Sequence, residues 1–261
     1  RYDCYGGGAY VRYGTVQDCS FTANSANYGG GADLFACVAE RILAVSNRMA
    51  GSQWDARGAG LRVRSSSVLR NARLIGNTAH GGCGGGVSAE QNSVVSNCVI
   101  AGNEAFDWDG GAGAYCEGGA TLADCLVSDN HARQSGGGAR VSDSTLLRCT
   151  IVSNTAAAAN GGGGVIMFNG GTVERCTIIG NVTAVNGGGI SQWGEGRLVN
   201  NYIAFNIATN DGGGVCLRDW TGAGSVENST IINNLATHYG GGVCFLEGGS
   251  ARNCIVTGNM A

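Results

Sequence analysis

A glycine triplet and a lone asparagine recur together ten times along the chain, and few architectures can absorb that repetition. Gly-Gly-Gly begins at Gly6, Gly29, Gly84, Gly136, Gly162, Gly187, Gly212 and Gly240, and Gly-Ala-Gly at Gly58 and Gly111, so the units lie 23 to 29 residues apart. Each unit also holds one asparagine: Asn24, Asn47, Asn77, Asn103, Asn130, Asn154, Asn181, Asn206, Asn234 and Asn259. A period of this length marks an array in which each unit is one turn of structure and cannot bury its apolar side alone.

The residues before each asparagine carry the pattern. Three positions back stand Phe21, Ala44, Leu74, Ile100, Val127, Ile151, Ile178, Ile203, Ile231 and Val256, all apolar. Eight back, from Val16 to Ala251, every residue is again apolar. Five back the residues are mostly small, and in several units this residue is cysteine: Cys19, Cys98, Cys125, Cys149, Cys176 and Cys254. Six back the residue is always polar, as in Asp18, Asn71, Asp124 and Asn253. Asparagine and aspartate satisfy turn backbone and tolerate left-handed φ, so a corner is expected there. The step of two after it is strand alternation, and the stretch after each triplet, such as Val165-Ile166-Met167, also reads as extended.

Each unit therefore reads as three short strands separated by bends, with no helix-length amphipathic run. The expected fold is all-β: a single parallel β-helix, a solenoid of about ten coils over residues 1–261. At ~4.8 Å per coil the rod is on the order of 48 Å long. Leucine-rich repeats need a leucine and asparagine spacing that is absent, and propeller blades are longer. Residues 32–57, with Phe35, Cys37 and Trp54, fit the repeat poorly and are expected to form an irregular coil.

Composition agrees and removes several classes. With 48 glycines and no proline the chain is not collagen, and a 43% hydrophobic content leaves enough for a core. A net charge of −3 without a basic stripe argues against nucleic acid as a partner. The absence of any apolar run of ~18 residues argues against a transmembrane helix. Twelve cysteines without a CxxC pair argue against zinc. The opening Arg1-Tyr2-Asp3-Cys4 does not read as a signal peptide, so a removed leader or a longer parent chain is expected.

In a solenoid each residue stacks on its counterpart in the next coil. The expected structural ladder is the asparagine file, Asn24, Asn77, Asn103, Asn130, Asn154, Asn181, Asn206, Asn234 and Asn259, whose amides can bond along the stack. Beside it runs the inward cysteine file Cys98, Cys125, Cys149 and Cys176. Directly stacked Cβ atoms lie ~4.8 Å apart, beyond the ~3.5–4.5 Å that suits a disulfide. Small buried thiols are therefore the leading expectation for this file, and a run of disulfides in a secreted chain the alternative. The triplets are expected to supply positive φ or a thin wall.

These residues resemble a known family, the polymorphic outer-membrane proteins of chlamydiae, which repeat Gly-Gly-Ala/Leu/Val/Ile and Phe-x-x-Asn. Gly7-Gly8-Ala9, Gly30-Gly31-Ala32, Gly137-Gly138-Ala139, Gly188-Gly189-Ile190 and four Gly-Gly-Val copies match the first motif. The second occurs literally as Phe21-Thr22-Ala23-Asn24, with an aliphatic residue replacing phenylalanine elsewhere, as in Ile151-Val152-Ser153-Asn154. The resemblance covers nearly the whole chain and is weakest over residues 32–57. It is similar in style to the large right-handed β-helix surface proteins of bacteria. It implies a right-handed helix, secretion to an extracellular or cell-surface location, and an adhesive or structural role.

Polysaccharide lyases and hydrolases also use β-helices, with clustered carboxylates beside arginine, lysine or Ca²⁺. Glu174 and Glu227 occupy one corner, but Val199 lies between them. Asp18 and Asp124 share a file four coils apart, and His80, His131 and His238 fall at three different repeat positions. The best irregular site is Asp107-Trp108-Asp109-Gly110, where two acids flank an aromatic; it reads as a Ca²⁺ or glycan contact or, more plainly, as a polar loop tip. Trp54, Trp193 and Trp220 also stand in variable stretches. No catalytic residue, cofactor or metal site is expected.

No cap is recognisable at either end. Joining Ala261 to Arg1 would continue the repeat with an ordinary asparagine-to-triplet spacing. The partners expected are therefore copies of the chain stacked head to tail into a filament, or a flanking β-helix of a longer chain, with glycans as further ligands. The leading expectation is an extracellular structural or adhesive rod. The alternative is a carbohydrate-active enzyme or glycan-binding module using the Trp108 loop.

Overall fold

The computed structural model describes residues 4–49, 56–106, 110–158 and 160–261. After each glycine triplet comes a strand, such as Leu61–Arg64, followed by two three-residue strands, such as Val68–Arg70 and Arg73–Ile75. Stacked coil on coil, these form three ten-stranded parallel sheets, numbered first to third in chain order. A fourth sheet has nine two-residue strands, from Ser25–Ala26 to Leu235–Ala236, just after the asparagines. Reading three strands per coil overlooks this sheet. A two-residue strand shows one inward side chain, usually alanine, and so displays no alternation.

Register is maintained from coil to coil, so like stands on like. Leu74 pairs with Ile100, Ile100 with Val127, and Val127 with Ile151 in the third sheet. The first and third residues of each first-sheet strand and the middle residues of the second and third sheets form one continuous core. Most of these side chains are wholly buried between coils, although no single coil could enclose them.

Corners follow from φ. Every residue six before an asparagine is left-handed, with φ between 50° and 57°, as is the first glycine of every triplet, with φ between 60° and 74°. Asparagine and aspartate accept this region at small cost, but Arg41 and Arg148 occupy it too. Each is clamped by the aspartate one coil earlier: Arg41 donates to Asp18 at 2.6 and 2.9 Å, and Arg148 to Asp124 at 2.7 Å through both nitrogens.

Coil 2 corrects the expectation of irregularity over residues 32–57. Ala32–Phe35, Val38–Glu40, Leu43–Val45 and Arg48–Met49 pair in register with both neighbours. Residues 50–55, including Trp54, lie outside the described residues. What differs in this coil is where the bulk sits. Ala39 and Ala44 are small where most other coils carry a larger aliphatic residue, while Ile42 and Met49 are large where most others carry a small residue such as cysteine or alanine, and all four are buried. Volume is conserved within the turn while the residue pattern changes.

The two sequence markers prove to be two sides of one contact. A Cβ placed on Gly138 would lie 3.0 Å from the Nδ2 of Asn154 in the same coil and 2.6 Å from the Gly164 carbonyl oxygen of the next. Gly31 with Asn47, Gly113 with Asn130 and Gly214 with Asn234 repeat the arrangement. Only glycine leaves room for the asparagine amide to lie against the wall and reach its neighbours. Each central asparagine is then fully used. The Oδ1 of Asn130 accepts from the backbone N–H and the Nδ2 of Asn103, both at 2.9 Å, while its own Nδ2 donates to the Ile100 carbonyl at 3.0 Å and to Asn154 Oδ1 at 2.9 Å. The chain of amides runs unbroken from Asn24 to Asn259.

Candidate functional site

Both sequence-derived files face inward. The central asparagines and Cys98, Cys125, Cys149 and Cys176 are buried, and these four cysteines are thiols. Cys125 and Cys176 are pushed up from the ordinary thiol range by their contacts with Cys149 and by burial. Burial, reinforced by Cys149, drives Cys116, on the first sheet, up to about 12. Shielded from solvent, these thiols pack as small apolar groups. Asp107, Trp108 and Asp109 lie outside the described residues. Neither file offers chemistry to solvent.

Outward chemistry concentrates on the first sheet, whose strands point their second and fourth side chains away from the core. Register brings these into two adjacent files: Asp33, Arg62, Ser88 and Tyr115 in one, Phe35, Arg64, Glu90 and Glu117 in the other. Arg64 grips Asp33 through two nitrogens at 3.0 and 3.2 Å, and Arg62 grips Glu90 at 2.9 and 2.8 Å. Ser88 donates to Glu90 at 2.7 Å. Arg57 pairs with Glu117, and Tyr115 donates to the same carboxylate at 2.8 Å. Arg57 belongs to an additional two-stranded ribbon, Ala56–Arg57 with Gly82–Cys83.

Aromatic rings complete this face. Tyr5 stacks on Tyr28 with centroids 4.9 Å apart, and the guanidinium of Arg62 lies 4.9 Å from the Tyr28 ring. Arg64 sits over Phe35 at 4.9 Å and Arg57 over Tyr115 at 4.7 Å. Together with Gln91, several of these groups line an open cleft of about 360 Å³ that crosses coils 1 to 5. All sixteen basic residues of the chain are arginine, which suits a face built from two-pronged ion pairs and ring stacking.

The electrostatics favour fixed charge. Burial works against the Glu90 carboxylate, but the Arg62 fork and the Ser88 hydroxyl hold it below the usual range. Asp33 and Glu117 are likewise tied to arginine. A general acid needs a carboxyl held protonated near neutrality, and Glu90 is shifted the other way. Elsewhere, Glu174 and Glu227 remain apart, with Val199 between them in the second sheet. The histidines also lie apart: His80 stacks on Phe106 at 4.4 Å, His131 contacts Thr155 at 2.6 Å, and His238 contacts Asp211 at 3.0 Å. Among the described residues, no group of three or more histidine, cysteine or acidic side chains is placed to hold a metal, and no helix is long and apolar enough to cross a membrane.

This cleft was not legible in the sequence. Its charge partners stand 28 and 31 residues apart, at positions that look like ordinary solvent-facing sites. The available signal was that acids and arginines take five of the eight second and fourth places after the triplet in coils 2 to 5.

Comparison with known proteins agrees with the architecture. The family model described as a right-handed β-helix region matches residues 42–208. No curated protein matches. Among solved structures, the hyper-glycosylated TibA fragment produced by TibC catalysis is 15% identical over 97% of this chain and 99% of that one, with a TM-score of 0.22.

Proposed function

The chain belongs to the right-handed β-helix family, and from that premise we propose that it is the rigid shaft of an extracellular, surface-displayed structural or adhesive protein. One observation carries this reading: the outward chemistry is an ion-paired, ring-stacked lattice on a single sheet, built for static recognition. The three carboxylates in it are neutralised by arginine, which supports a binding role over acid–base catalysis. The amide ladder supports stiffness, because bending the rod would have to stretch buried hydrogen bonds in many coils at once.

Beads coated with the purified protein, passed over cell and matrix surfaces, test the adhesive part. Retention above that of uncoated beads is expected, with uniform rods seen by electron microscopy. Shortening of a polysaccharide by the purified protein, seen as falling viscosity or new unsaturated-sugar absorbance, would overturn the reading in favour of an enzyme.

A further inference from the structure

Far from the cleft, two neighbouring turns are pinned from beneath by buried polar side chains. Gln192 faces the core where adjacent coils carry Met167 and Leu217, and it is wholly buried. Its amide donates to the carbonyls of Gly194 at 3.0 Å and Gly196 at 3.2 Å, fixing the turn of coil 8 from inside. Asp219, also wholly buried, accepts from the Thr221 backbone N–H at 2.9 Å, from the Thr221 hydroxyl at 2.6 Å and from the Gly224 N–H, fixing the turn of coil 9. Burial opposes this charge, but the Thr221 hydroxyl and the backbone N–H groups hold the carboxyl below its usual range. A Cβ on Gly224 would come within 2.9 Å of the Asp219 carboxylate, so glycine is needed where the two buried groups meet. Burying an amide and a carboxylate is costly, the more so as the Oε1 of Gln192 finds no hydrogen-bond partner, and what the two groups hold still is an exposed aromatic.

Trp220, 62% exposed, projects from the Asp219 turn and extends over Gly194. Beside it Asn169, Glu195 and Thr221 are exposed, and these residues with Gly194 line a shallow depression of about 280 Å³. Gly194 carries no side chain to fill the space. The result is an aromatic wall with acceptor-rich edges on a pre-organised frame, which lowers the entropy lost on binding. None of the lining residues is basic.

We propose that the Trp220 turn is a carbohydrate-binding site, taking one neutral pyranose ring against the indole while Asn169, Glu195 and Thr221 bond to its hydroxyls. This rests on the adhesive reading and gives it a ligand class. The carboxylate of Glu195 and the absence of a cation select against uronates and sulfated sugars.

The test uses the whole protein and neutral gluco-, galacto- and manno-oligosaccharides, with oligogalacturonate as the acidic series. Binding is read by saturation-transfer NMR and by tryptophan emission. At least one neutral series is expected to bind. Trp220→Ala should weaken it about tenfold or more, Trp220→Phe should retain most of it, and Trp108→Ala should leave it unchanged. Binding of the acidic series alone, or Trp220→Ala within about twofold of the parent, would sink the site. Beads that adhere while no sugar binds would remove this site and leave the adhesive reading standing. Beads that fail to adhere would remove the reading on which it rests.

Discussion

A single asparagine in the middle of the ladder serves four hydrogen bonds, and its replacement should be felt in two coils. Asn130→Ala orphans the buried backbone N–H of Asn103, leaves the Asn103 Nδ2 without its Asn130 acceptor and takes one donor from the Ile100 carbonyl. A buried group left unbonded costs about 1–3 kcal/mol, so a loss of about 3–5 kcal/mol is expected in urea denaturation. Asn24, in the first coil, donates to Asn47 from its amide and from its backbone, and alanine keeps the backbone bond. Asn24→Ala should therefore cost about 1 kcal/mol. Equal losses at the two positions would mean that the ladder is not the source of the stability. Glycines divide in the same way. Gly138→Ala drives a methyl into the Gly164 carbonyl and the Asn154 amide, whereas a Cβ on Gly102, at φ +62°, meets nothing within 4 Å. The second change carries only the left-handed penalty of about 1–2 kcal/mol, and Gly138→Ala should exceed it by at least about 2 kcal/mol. The asparagine and glycine files were both visible as repeats. That they touch was not, because contact depends on how the coil closes.

At the scale of the sheet, legibility follows the direction a side chain points. Inward files repeat a chemical type ten times, so Val16 to Ala251 and Phe21 to Val256 stand out in the sequence. Outward files need only be mutually compatible across one coil boundary, so Asp33, Arg62, Arg64 and Glu90 share no type and leave no periodic trace. Coil 2 was counted as a unit but read as irregular, because Ile42 and Met49 exchange bulk with Ala39 and Ala44. The outward lattice has its own signature in acid. Glu90 titrates below its unfolded value of 4.5, so its contribution is fully present above that pH and is lost as pH falls through the lower, folded value. Glu90→Gln should cost about 3 kcal/mol at neutral pH by leaving Arg62 with only the more distant Asp33, 3.9 Å away, as a charge partner. It should also flatten the decline in stability below pH ~4.5. Thermal melts from pH 3 to 7 check both; a variant whose melting curve parallels the parent's throughout would show that this ion pair contributes nothing to acid sensitivity.

For the whole molecule, stacking sets how stability is distributed. Each coil touches only its neighbours, so total stability is the sum of coil terms and interface terms, and an end coil has one interface where an inner coil has two. Exposure reports the difference directly: Ile231 is fully buried, but Val256, its register partner in the last coil, is 50% exposed. In a protein of these 261 residues, amide exchange should therefore be fastest in the first and last coils and slowest near coils 4 to 7. The gradient should follow coil number and not the local strand, since the same four strand types recur throughout. A core substitution offers a sharper version. Ile151→Ala in coil 6 should cost about 2–5 kcal/mol and raise exchange in coils 5 and 7 as well as in coil 6. Val256→Ala, already half in solvent, should cost under about 1 kcal/mol and leave the middle coils unchanged. If exchange proved uniform along the rod, the coils would unfold as one unit, and nearest-neighbour stacking would not describe how this molecule holds together.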